Sequence, residues 1–141
     1  MALTILDAGV VIAILDSDDA HHAAAREAVR GALARGDGLA LPASAYAEVL
    51  VGPYRQSDEA AATVDTFLAA LPARVEPATR EIASAAARLR ARHGARLRLP
   101  DALVVATAQL LQAGQLLTTD ADWPPLPIPV TVVGGSATPR R

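Results

Sequence analysis

Four carboxylates stand where an ordinary ionic role is hard to assign. Asp7 closes the apolar run LTIL, Glu48 interrupts AYAEVLV, Asp101 opens DALVVATA, and Asp120 closes QLLTTD. All 13 Lys/Arg positions are arginine, so no lysine is available to pair with these acids. Carboxylates brought together in apolar surroundings are costly unless a cation neutralises them. Hard divalent cations with oxygen ligands do so, and Mg2+ keeps waters that can serve as nucleophiles. Taken alone, each acid has a plainer reading. Asp101 suits a helix N-cap, Asp7 and Asp120 suit turns, and Glu48 suits an exposed helix face. Their conjunction at strand and helix ends tips the balance toward a metal site.

The elements that must position them can be read from pattern. Short apolar strands are expected at 3–6, 38–42, 73–77, 115–120 and 130–133. Helices are expected at 10–16, 17–36, 44–52 with Ser44 as cap, 57–70, 78–94 and 100–112. Residues 121–129 form a proline-rich loop. Alternating strands and helices predict a three-layer α/β/α sandwich with a short, mainly parallel central sheet. In such sheets ligands bind beyond the carboxyl ends of the strands, which is where Asp7 and Asp120 fall. Residues 1–133 read as a single domain and 134–141 as a disordered tail.

Composition removes several chemistries. The 141-residue chain has no cysteine, which excludes disulfides, thiolate metal sites and a cysteine nucleophile. The absence of lysine excludes Schiff-base chemistry, a P-loop lysine and a lysine general base. The net charge of −2 does not announce a nucleic-acid binder. No stretch approaches a membrane span, and the N-terminus lacks the basic region of a signal peptide, so a cytoplasmic protein without a membrane partner is expected.

The segments ILDAGVVIAILD, ASAYAEVL, RLPDALVVATA and LLTTDADW resemble, in order and spacing, the four acidic motifs of PIN-domain ribonucleases, and most closely the VapC-type toxins of toxin–antitoxin pairs. The resemblance runs from Leu3 to about Val133. It implies metal-binding acids at Asp7, Glu48, Asp101 and Asp120, a supporting hydroxyl at Thr118, and an additional acid at Asp122. It also implies hydrolysis of RNA phosphodiester bonds with Mg2+ or Mn2+, a cognate antitoxin and a homodimer. One departure stands out. The family usually carries hydroxyl or amide side chains after the first aspartate, and here Ala8 and Gly9 stand instead.

RNA must be held by something, and RLRARHGARLR is the densest basic run. Arg88, Arg92, Arg96 and Arg98 are its candidate phosphate contacts, unless they merely face solvent and favour the helix C-terminus. The resemblance also implies that an antitoxin segment lies in a groove near the site, and apolar residues around Leu15, Val29 and Phe67 are its candidate lining. The adjacent His21 and His22 do not share a helix face and make a poor metal pair, and Trp123 reads as packing. A dehalogenase-like phosphatase or a receiver domain would need a lysine, and the former a second aspartate at position 9. Two alternatives stay open: a catalytically weak PIN-like binding partner, and a DNA-directed nuclease.

Overall fold

Strands buried on both faces read as nearly continuous apolar runs, and the two such runs ending in the candidate acids sit at the sheet's centre. The computed structural model describes residues 2–134. In it β1 (Leu3–Leu6) lies between β2 (Gly38–Pro42) and β4 (Gln115–Thr118). With β3 (Ala73–Glu76) and β5 (Val130–Val132) the order is β3-β2-β1-β4-β5, and every pairing is parallel. Ile5, Leu6, Leu116 and Leu117 are all but excluded from solvent.

From β1 the chain steps outward twice, through α1 (Ala8–Leu15) and α2 (His22–Ala34) to β2, then through α3 (Ala43–Gln56) and α4 (Asp58–Ala70) to β3. It then returns through α5 (Arg80–His93), a 3-10 turn at Gly94–Arg96 and α6 (Leu99–Leu110) to β4, on the other side of β1. Right-handed crossovers put the outward helices on one face and the returning pair on the other. This is the expected three-layer sandwich. The reversal of direction falls between β1 and β4, the point where open parallel sheets form a crevice at their carboxyl edge.

The helices are packed by small residues. In α6, Ala102, Val104, Val105, Ala106, Thr107 and Ala108 are buried, and Ala85, Ala86 and Leu89 are among the buried residues of its neighbour α5. Helix α6 runs back along the sheet from the carboxyl edge, so its first turn, with Asp101, lies at that edge.

Several boundaries differ from the sequence pattern. Residues 17–21 form turns, and α2 starts only at His22, because Asp16 and Asp19 use their side chains for local Asx bonds to Asp18 and His21 N–H. Helix α3 begins at Ala43, with Pro42 rather than Ser44 at the cap position, and continues through Gly52 and Pro53 to Gln56. Buried Ala45 and Val49 anchor it, and such packing overrides local breakers. The strand expected to reach Asp120 stops at Thr118. Residues 135–141 of the expected tail lie outside the described residues.

Candidate functional site

The register decides the first contact. Leu6 pairs with Leu117, and Asp7 N–H donates to the Leu117 carbonyl at 3.0 Å, which sets Asp7 beside Thr118. Thr118 Oγ1 donates to Asp7 Oδ2 at 2.8 Å, and Ala8 N–H donates to Asp7 Oδ1 at 2.8 Å. Asp7 therefore is the N-cap of α1, with both oxygens held. It is 9% exposed. Burial pushes its pKa up from 3.8 to about 6, against the two hydrogen bonds, and the like charges of Asp101 and Glu48 push the same way.

Asp101 is not a cap. Arg98 occupies that position of α6 without a side-chain bond, and Pro100 lies in the first turn, so Asp101 is the third helical residue. The helix starts earlier than the pattern suggests because proline is well accommodated there. Burial raises the Asp101 pKa and the Asp120 charge adds to it, while Arg98 and the Trp123 indole lower it. The Glu48 pKa is raised by partial burial and by Asp101, and lowered by Arg98. Asp120 is tied down at its backbone, where its N–H donates to Thr118 Oγ1 at 3.1 Å, and its Oδ1 accepts from Asp122 N–H at 2.8 Å. Asp122 thus contributes its amide to Asp120, and its own side chain is exposed.

The four acids therefore feel one another at the carboxyl edge of the sheet, above the β1–β4 reversal. They are not drawn tight: among the described residues no three His, Cys, Asp or Glu side chains converge closely enough to hold an ion as they stand. The donor chemistry nevertheless fits a hard cation. All donors are oxygens, and three of the acids have raised pKa values. The opposite edge supplies the contrast. There Asp37 accepts from Thr4 Oγ1 at 2.9 Å and from Arg35 at 3.0 Å, and these bonds hold its pKa down. A structural acid in this fold is paired; the four at the carboxyl edge lack such a partner within 4.0 Å among the described residues.

The arginine run does not act as one patch. Arg98 is close enough for its charge to be felt at Glu48 and Asp101. Arg96 is exposed in the 3-10 turn, and Arg88 and Arg92 line a cavity against α6 that contains none of the acids. The expected apolar groove is split in two. Leu15 borders a cavity of about 590 Å³ with Ile12, Val49, Pro53 and Val64, while Val29 and Phe67 border another of about 210 Å³. His22 Nδ1 lies 2.8 Å from the Ala13 carbonyl, and His21 lies 3.4 Å from Asp19, so both are engaged in local structure.

Two site features escaped the sequence pattern. A Cβ at Gly9 would collide with Thr119 Oγ1, so the space beside Asp7 that a side chain at position 9 would take is filled from β4's end. The Trp123 indole N–H is buried without a partner at hydrogen-bond distance among the described residues, yet close enough to the Asp101 carboxylate to lower its pKa. Neither follows from spacing, since both depend on how the chain leaves β4.

Comparison with known proteins bears on this edge. The PIN domain family profile matches residues 4–127. No curated protein sequence matches significantly. Among solved structures, a toxin–antitoxin complex from Klebsiella pneumoniae is 26% identical, covering 91% of this chain and 95% of that one with a TM-score of 0.66. Mycobacterium tuberculosis VapC20, a sarcin–ricin loop cleaving toxin, is 20% identical over 84% of this chain and 91% of that one, TM-score 0.68. VapBC2 from Rickettsia felis, bound to a promoter DNA fragment, is 14% identical over 92% and 97%, TM-score 0.74. The last two likenesses are of fold.

Proposed function

Because the chain belongs to the PIN-domain family, we propose that it is a metal-dependent endoribonuclease, the toxin of a toxin–antitoxin pair. The observation that carries this reading is the gathering of Asp7, Glu48, Asp101 and Asp120 at one sheet edge with no paired cation, while Asp37 at the other edge is fully paired. These four residues would hold one or two Mg2+ or Mn2+ ions. A bound ion of this kind lowers the pKa of water and neutralises charge on a phosphate.

The chain's own groups do the rest. Thr118 and the Ala8 N–H fix both Asp7 oxygens, so the carboxylate presents one orientation to the crevice. The positive end of α6 favours ionised Asp101. Asp120, with Oδ1 occupied by the Asp122 amide, keeps Oδ2 to orient the attacking water and accept its proton. Hydrolysis consumes that water: a P–O ester bond breaks, a P–OH group forms, and the leaving oxygen takes up a proton. Arg98, beside Glu48 and Asp101, is placed to hold a non-bridging phosphate oxygen.

Structured RNA is the substrate class to test first, since a protein of similar fold cleaves the sarcin–ricin loop. An antitoxin partner is supported by the toxin–antitoxin complexes of similar fold, and the two apolar recesses along α1 to α4 suit it. A homodimer and a cytoplasmic location complete the proposal. No described helix is long and apolar enough to cross a membrane. The open spacing of the acids favours one second reading, a PIN domain that pairs with its partner but cuts slowly or not at all.

The deciding assay incubates antitoxin-free protein with structured RNAs and matched DNAs in Mg2+ or Mn2+, beside EDTA and Asp101→Asn controls. Cleavage of RNA that needs metal and is lost in Asp101→Asn is the expected result. Equal cutting by Asp101→Asn would remove Asp101 from the site. Cutting of DNA alone would make this a DNA nuclease. A folded wild type that cuts neither would favour the binding reading.

A further inference from the structure

The stretch from Ile82 to Pro100 contains five arginines and no acid, in a chain whose net charge is −2. None of Arg88, Arg90, Arg92, Arg96 or Arg98 makes an ion pair within 4.0 Å among the described residues. Like charges this dense, left unpaired, are suited to a polyanion. The structure divides them. Arg98 faces the acids, whereas Arg88 and Arg92 open onto a cavity of about 230 Å³ shared with His93, Gln109, Leu110 and Pro127.

Resting on the reading of this chain as a ribonuclease, we infer that this cavity is a second RNA subsite, holding one nucleotide of a single-stranded segment away from the cut. Arg88 and Arg92 are an i,i+4 pair, which stand about 5–6 Å apart on one helix face. Two guanidinium forks so placed grip the strand's phosphates in the manner arginine favours. Leu110 and Pro127 give an apolar surface for a base or ribose, and Gln109 and His93 offer donors and acceptors to a base edge. The cavity is smaller than the ~300 Å³ at which free ligand pockets begin, which suits one unit of a chain rather than a free small molecule. Asp101 and Gln109 lie at opposite ends of α6, eight residues or about 12 Å apart along the axis. A strand crossing both would run along α6, with the scissile phosphate at Arg98 and an upstream or downstream nucleotide at Arg88 and Arg92.

The test measures binding, not cleavage. Fluorescence anisotropy of a labelled single-stranded RNA is followed across salt concentrations in an Asp101→Asn background with EDTA, which keeps the RNA whole. Arg88→Gln/Arg92→Gln is compared with the charge-matched pair Arg55→Gln/Arg80→Gln. All four positions are exposed, so both proteins should fold. The slope of log affinity against log salt should shrink by about 1.4 in the first pair, two phosphates at ~0.7 each for a single strand, with little change in the second. An unchanged slope, or an equal fall in both pairs, overturns the subsite while leaving the ribonuclease reading intact. No RNA binding by the Asp101→Asn parent overturns the subsite, whose arginines need no metal, while the ribonuclease reading is decided by the cleavage assay.

Discussion

Asp7 should lower the stability of the folded protein. It is nearly excluded from solvent, accepts two hydrogen bonds, and still has its pKa pushed up from 3.8 to about 6. Between those pH values the native state holds a proton that the unfolded chain has released, so stability falls as pH rises through the interval. Below 3.8 the penalty is absent; above about 6 it is complete. At about 1.4 kcal/mol per pH unit the full penalty is about 3 kcal/mol. Asp7→Asn removes the charge and keeps the contacts, because Oδ1 can still accept from Ala8 N–H and the Thr118 hydroxyl can turn to accept from the new amide. Urea unfolding in EDTA is therefore expected to favour the variant by roughly 1–3 kcal/mol at pH 8, a midpoint shift near 1 M for an m-value of about 2 kcal/mol/M. At pH 4 the penalty should shrink to about 0.5 kcal/mol, and the gap between the two proteins with it. Mg2+ should stabilise wild type more than the variant, since ligands that bind only the native state raise its stability. The variant should also cut no RNA. An Asp7→Asn protein less stable than wild type at pH 8, or a stability gap independent of pH, would refute the account of Asp7 as a strained functional charge.

Thr118→Val removes the donor that lowers the Asp7 pKa, so the pKa should rise beyond about 6 and the acidic limb of the pH–rate profile should move to higher pH. Stability at pH 8 should fall by about 1.5–3 kcal/mol, the range for a hydrogen bond to a charged group. Gly9→Ala would ordinarily stabilise a helix by ~0.5–1 kcal/mol. Here its Cβ meets Thr119 Oγ1, and overpacking of that kind costs about 1–3 kcal/mol. Urea unfolding should show a net loss that Thr119→Ala, added to the same protein, largely restores; a Gly9→Ala protein as stable as wild type would show that the hydroxyl simply swings away.

How the acids announce themselves differs from residue to residue. Asp7 was legible because it ends an apolar run and no arginine precedes Arg26 in the chain; a parallel sheet then brings every strand's carboxyl end to one edge. Asp101 was legible as an acid in apolar company but not in its local role, because Pro100 lets the helix begin at Leu99 and passes the cap position to Arg98. The run through Gly52 and Pro53 could not be read as helix, since only the burial of Ala45 and Val49 holds it there. The arginines were legible as a cluster and illegible as two groups, because the turn at Gly94–Arg96 separates the α5 face from Arg98 and leaves no mark in composition. Asp37 and Asp7 make the general point. Both flank apolar strands, and the sheet sets them at opposite edges. Asp37 has Arg35 two residues away and becomes structural, while Asp7 has no such neighbour and keeps its strain. An acid beside a strand thus signals an edge, and the nearest cation in sequence says whether that acid is already spoken for.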